Sequence, residues 1–323
     1  MIEGCIEAGT AYMDVCDDGE YSKLTKALHD QARAKGVPCI TTGGIYPGVS
    51  NLLAAEMAAS ARSSSGGEGS SSEGDAAADK GAPMTKGAPS KLLFSYFTAG
   101  TGGAGPTILE TSLLLAGEPV TLYLDGEPKT FKPVSMPRVV DFGPGVGRKK
   151  VYLYNLPEVA SCHRNLGVPS VSARFGTAPD LWNLGMSLTA RVLPGSVLGD
   201  PAKAKGLAAA LSPLVRAVDP IAGEQVAMRV DLEFSDGKTA VALWVHDKLS
   251  ESVGHCTAAL ALEMARGGTD AGVWFPEEEG AVKPDRRRPV LREAAKGCSR
   301  VLLNKAPWMI EQDPKWLGMG MYW

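Results

Sequence analysis

The hexapeptide Gly100-Thr-Gly-Gly-Ala-Gly105 is the most suggestive run in the chain. It follows a strand-like segment, precedes a helix that Pro106 could open, and matches GxGxxG. Asp125 then lies about twenty residues on, where a ribose-binding acid would stand. The next turn argues against a nucleotide fingerprint. Asp125-Gly126 is a strong hairpin signal between Val120–Leu124 and Lys129–Pro133, whereas the acid-bearing strand of a fingerprint must feed a crossover to a parallel neighbour. Two readings stay open: a loop whose backbone N–H groups approach a carboxylate or phosphate, or a strand-to-helix turn without a ligand.

A second set of candidates, Thr41, Thr42, Gly43, Tyr46, Pro47 and Gly48, sits just past the apolar run Val37–Thr42. If that run is a parallel strand, its carboxyl end is where open α/β sheets place ligands. The same residues also read as a glycine-permitted turn capped by Ser50 or Asn51. Asp14, Asp17 and Asp18 follow the neighbouring strand and read as turn or cap residues. On the substrate side stand Tyr96, Thr98, Gly100 and Gly102, together with Arg174 and Trp182. Arg174 interrupts an apolar stretch, and a guanidinium there seeks a carboxylate, either a ligand's or that of Asp180.

The four histidines are dispersed, and only His163 and His246 have polar neighbours that suggest titration near neutrality. None has the spacing of a metal site or a triad, so no catalytic or metal-ligating residue is assigned. The six cysteines form no CxxC pair, which gives zinc nothing local to build on and fits buried thiols in a reducing compartment.

The elements that must hold these residues fall into blocks. The chain opens with Ile2, Cys5 and Ile6 at helical spacing and continues as a strand (Ala11–Cys16), an amphipathic helix (Tyr21–Lys35) and a strand (Val37–Thr42). Such a βαβ unit requires parallel strands. Two parallel strands cannot bury both faces alone, so the rest of the sheet is expected before Met1. After a helix over 51–62, the Ser/Gly/Ala-rich stretch 63–90 lacks any apolar period and reads as a flexible insert. Strands, DG hairpins and helices then alternate in an α+β pattern. The organisation is thus α/β plus α+β, divided at 1–61, 62–90, 91–275 and 276–323.

At 323 residues, 44% hydrophobic and 21% charged, with a net charge of −3, the chain carries no basic field for nucleic acid or anionic lipid. No window approaches the roughly 20 apolar residues of a membrane span, and no signal peptide or transit segment is visible.

Four stretches in order carry a family resemblance: Cys5–Gly9 with Tyr12 and Asp14–Asp18; Gly44–Asn51; Ser95-Tyr96 with the glycine run; and Gly272–Glu277. Together they resemble the saccharopine dehydrogenase-like (saccharopine reductase) family. The resemblance implies a partial Rossmann domain, its late βαβ portion, followed by an α+β substrate domain with a mixed, largely antiparallel sheet. It implies an NAD(P)-dependent oxidoreductase, NADP being expected, acting on a small-molecule substrate. Thr41, Thr42, Gly43, Tyr46, Pro47 and Gly48 would line the nicotinamide end, and residues 276–323 would return toward the nucleotide domain. The family's first strand and glycine-rich turn have no counterpart, so poor cofactor binding by this chain alone is expected. A non-catalytic dimerising module of the same fold is the alternative, and a homodimer, in plastid or cytoplasm, is compatible with either.

Overall fold

The computed structural model describes residues 1–65, 85, 87–100, 106–193 and 195–311. Most of the Ser/Gly-rich stretch lies outside the described residues, as do residues 101–105, including Gly102.

Two sheets organise the chain. The smaller contains β1 (Tyr12–Met13), β2 (Pro38–Ile40) and β11 (Gly272–Trp274), parallel and in the order β1-β2-β11. Cys39 faces the core formed with Ile2, Ile6, Ala32 and Val273, while Ile40 faces the core shared with the large sheet. This alternation buries both faces of β2, as a parallel strand requires. β2 lies between β1 and β11, which comes from far down the chain and supplies a neighbour that local pattern could not reveal. Lys26 fastens it, donating to the Val273 carbonyl at 2.8 Å and pairing with Glu278 at 2.6 Å.

The single helix expected over Tyr21–Lys35 is two helices, Gly19–Lys26 and His29–Ala34. Asp18 caps the first, accepting from the Glu20 and Tyr21 amides. The break at Ala27-Leu28 rotates the faces, so Leu24 is 69% exposed while Thr25 and Ala32 are buried.

The larger sheet contains β3 (Pro89–Ala99), β4 (Val120–Leu124), β5 (Glu127–Phe131), β6 (Ser135–Asp141), β7 (Arg148–Leu153), β8 (Ser170–Ala178), β9 (Gln225–Phe234), β10 (Thr239–His246) and β12 (Cys298–Lys305). Its order is β12-β10-β9-β3-β8-β4-β5, with β6 and β7 branching from β8. Only β3 and β8 run parallel; the other pairings are antiparallel. Asp125 and Gly126 both take positive φ in the β4–β5 turn, as a two-residue hairpin turn demands. That direct return rules out Asp125 as the acid of a βαβ fingerprint.

Strand alternation gives this sheet two chemically different faces. Leu92, Phe94, Tyr96, Met228, Val230, Ala242 and Trp244 pack on the side of the helix Val49–Ser65. Phe97, Ala227, Val241, Leu243 and Val245 form a second core, covered by Phe142, Val146 and Ile310. After β11 the chain does not stay with the small sheet. The helix Pro284–Ala294 packs on Val49–Ser65, where Arg288 pairs with buried Glu56 at 2.6 Å, and β12 then joins the edge of the large sheet beside β10. Among the described residues, no helix is long and apolar enough to cross a membrane.

Candidate functional site

The carboxyl ends of β1 and β2 converge on one buried turn. Asp14 accepts through Oδ1 from the Cys16 amide, the Thr42 amide and the Thr41 hydroxyl, at 3.0, 3.0 and 3.3 Å. Its other oxygen, Oδ2, is buried without a partner, and so is the Thr42 hydroxyl. Thr42 also has φ +61. A β-branched residue in the left-handed region is strained, and such strain concentrates at ligand sites. A strained residue and two unanswered polar atoms meet where an open α/β sheet binds its ligand.

Glycines make the turn possible. Gly43 packs its α-carbon face against Met13 Sδ and the Asp14 carbonyl. Gly48 (φ +136) is pressed against the Gly44 backbone so tightly that a Cβ would overlap the Gly44 carbonyl oxygen. The Tyr46–Pro47 peptide is cis. Asn51 closes the turn, its Oδ1 accepting from the Gly48 amide and the Ser50 hydroxyl. The capping role expected of Asn51 is therefore filled beside the ligand end of the sheet.

A cavity of about 240 Å³ opens between this turn and the large sheet. Tyr46 and Pro47 form one wall, and Tyr154 and Phe175 form the opposite one. Leu115, Leu249 and Val253 complete an apolar lining into which Asp17, Thr111 and Ser112 bring polar groups. Asp17 is exposed to solvent, and the desolvation it does meet raises its pKa.

Tyr46 links the two sheets. Its hydroxyl hydrogen-bonds Thr98 Oγ1 at 3.0 Å, and its ring stacks on that of Tyr96 at 4.4 Å. Tyr96 in turn donates to Glu158 Oε1 at 2.6 Å. Glu158 is fully buried in the first turn of the helix Pro157–Leu166, and its Oε2 has no partner. Burial pushes its carboxyl up to about 7, against the opposing pull of the Tyr96 hydrogen bond. Nearby, buried Glu277 accepts from Asn51 and Asn165, both at 2.9 Å, and burial raises its pKa as well. These contacts join the turn, the large sheet and the segment after β11 into one polar seam.

The candidate residues thus separate into groups. Tyr46 and Pro47 line the cavity. Thr41, Thr42, Gly43 and Gly48 shape the turn behind it, while Tyr96 and Thr98 lie beneath Tyr46 as its supports. Gly100 ends β3 with φ +63. Trp182 is half-buried against the main core and is not part of the cavity lining.

Arg174 is on the other side of the sheet. The β3–β8 register pairs Ser95 with Arg174 and Tyr96 with Phe175, so Phe175 faces Tyr46 and Arg174 points away from it. Nor does Arg174 pair with Asp180. Its Nη1 donates to Ser172 Oγ at 3.1 Å, its Nε is buried without a partner, and Asp180 instead accepts from Asn183. Desolvation, then repulsion from Arg138, lowers its pKa. With no ion pair to lose, Arg174→Met should change folding stability by no more than about 1 kcal/mol in urea titration. A loss above about 3 kcal/mol would reveal a buried anionic partner.

Several residues of the site had no distinguishing mark in the sequence. Phe175 and Tyr154 needed the strand register. Glu158 looks like an ordinary acid at a helix start, where the dipole favours it. Asp17, Asp14 and Asp18 resembled one another as turn residues, and only coordinates assign them a cavity, a strand-end anchor and a cap.

No protein-family model matches the sequence, and no curated protein does. Solved structures do. Saccharopine dehydrogenase (L-Glu forming) from Saccharomyces cerevisiae is 12% identical with a TM-score of 0.53, the match covering 90% of this chain and 78% of that one. The homospermidine synthase from Legionella pneumophila, solved in complex with NAD, is 13% identical with a TM-score of 0.56, over 92% of this chain and 71% of that one. At such identities the likeness establishes the fold: a small Rossmann-like parallel sheet joined to an α+β unit with a mixed, largely antiparallel sheet.

Proposed function

We propose that this chain is a nicotinamide-dependent oxidoreductase of the saccharopine dehydrogenase-like kind, with cofactor and substrate meeting in the cavity between the Thr41–Gly48 turn and the large sheet. The observation that carries this reading is the strained Thr42 with its unpartnered hydroxyl beside the unpartnered Asp14 Oδ2, at the carboxyl ends of two parallel strands. The fold neighbours, one of them solved with NAD, support the same class.

Thr41, Thr42, Gly43, Tyr46, Pro47 and Gly48 would hold the reactive half of the cofactor, which supplies hydride chemistry when bound. Tyr46 and Pro47 give it an apolar wall that limits water. Thr98 and Tyr96 fix the position of Tyr46, through its hydroxyl and its ring. The pyrophosphate is less well provided for. Among the described residues, the helix after β1 carries an acid, Asp18, at its N-terminus, where a phosphate would need open N–H groups.

That asymmetry is testable. Reduced nicotinamide mononucleotide and NADPH should bind the full chain within about tenfold of each other by calorimetry, because the adenylate half adds few contacts. If neither binds more tightly than about 1 mM, the oxidoreductase reading fails. A preference for NADPH above about a hundredfold would mean that a phosphate site exists, and residues 100–105 would be its first candidate. Comparing NADPH with NADH in the same experiment reads the expected preference for NADP.

The second reading, an interaction module forming a homodimer, is favoured by one observation. Leu184, Leu188 and Val192 are exposed along one stripe of the helix Asp180–Val192. Light scattering that gives the monomer mass at all concentrations would remove it.

A further inference from the structure

The lining of the cavity constrains its occupant beyond the reaction class. Of the side chains around it, Asp17 alone is charged. Among the described residues, neither lysine nor arginine lines the walls and none forms an ion pair with Asp17. Other acids stand nearby. Asp17 and Asp18 help to raise the pKa of Glu118, and Asp17 acts in the same direction on Tyr46 and on buried Glu158. The field in the cavity is therefore negative and unneutralised. Its walls are aromatic and aliphatic: Tyr46, Tyr154 and Phe175 surround the space with ring surface, which attracts cations through the ring quadrupole.

We infer that the cavity takes a monocationic amine on an apolar or aromatic body, with Asp17 as its counter-ion. The inference rests on reading this cavity as the reaction site. An ammonium group there donates a charge-assisted hydrogen bond to the Asp17 carboxylate. The apolar body covers the remaining lining, as small-molecule sites generally require. A dicarboxylate such as L-Glu would instead place like charges against Asp17 with no cation to answer them. Arg174, the guanidinium that could have served such a ligand, is on the opposite face of the sheet.

Three matched probes test this on the full chain without nucleotide: 2-phenylethylamine, 2-phenylethanol and 3-phenylpropionate. Calorimetry at neutral pH should give saturable amine binding at least about tenfold tighter than that of the alcohol, with the carboxylate weakest. Asp17→Asn should bring the amine to within about threefold of the alcohol. Unchanged binding of the alcohol in the variant shows that the cavity is still formed. The inference is overturned if the amine fails to bind, if the carboxylate binds as well as the amine, or if the amine preference survives in Asp17→Asn. Competitive displacement of the amine by oxidised nicotinamide mononucleotide overturns it too, because the acid then faces the cofactor ring. Nucleotide binding without amine binding would remove this inference alone. Amine binding without nucleotide binding would remove the oxidoreductase reading and leave an amine-binding cavity.

Discussion

Gly48→Ala should cost about 3–5 kcal/mol of folding stability in urea denaturation. Two independent penalties coincide there. The backbone at φ +136 lies where an L side chain is strained, and the added methyl would overlap the Gly44 carbonyl oxygen. That oxygen accepts from the Val49 amide at 3.0 Å, so it cannot withdraw without opening the start of the helix Val49–Ser65. Gly126 supplies the control. It also has positive φ (+88), but nothing lies within 4 Å of its Cβ position, so Gly126→Ala should lose only about 1–2 kcal/mol. Equal costs at the two positions would show that the close approach at Gly44 is not rigid, and the turn would lose its claim to be a preformed cradle.

The second large effect is a pH dependence. Burial raises the Glu158 carboxyl to about 7 in the folded chain, whereas an unfolded glutamate titrates near its ordinary value of about 4.3. Between these values the folded state holds the proton and the unfolded state has released it. The stabilising contribution is complete below about pH 4 and is lost progressively as the pH rises to about 7, with a total change of about 3 kcal/mol. Glu158→Gln keeps an acceptor for the Tyr96 hydroxyl but has no proton to release. The stability difference between wild type and variant should therefore shift by about 3 kcal/mol between pH 4 and pH 7.5, whatever constant offset the amide introduces. Parallel curves would mean that Glu158 reaches water and that the seam beneath Tyr46 is wet. Glu277 is raised in the same direction, so the variant should retain part of the slope.

The architecture was more legible in the sequence than the site. The DG hairpins gave themselves away because a two-residue turn needs residues that tolerate positive φ, and few dipeptides do. Asp200 caps the helix Pro201–Ala222 through similarly local chemistry, accepting from the Ala202 and Lys203 amides. Where the sequence misled, the deciding interaction was long-range. The break at Ala27-Leu28, invisible in the helical spacing over Tyr21–Lys35, turns Leu24 to solvent. Likewise Lys248, a residue with no capping side chain, precedes the helix Leu249–Ala265, and Ser250 lies inside it. Arg174 was expected to meet a carboxylate, a ligand's or that of Asp180, and the Asp180 pair does not form. Whether it shared a face with Tyr96 depended on a register that only pairing with β3 fixes. Three aspartates within five residues could not be told apart, because a turn acid, a cap and a cavity wall share one composition.

The placement of β11 has a consequence for how the molecule comes into being. Its central parallel neighbour, β2 (Pro38–Ile40), is made more than two hundred residues before Gly272–Trp274, the strand that completes its other edge. At about 5–20 residues per second, a ribosome needs tens of seconds to bridge that interval. Until then β2 exposes one margin of a strand whose faces are built for burial, which is an invitation to wrong pairing. Such distant closure predicts slow maturation and marks this stretch of nascent chain as the one most in need of a chaperone.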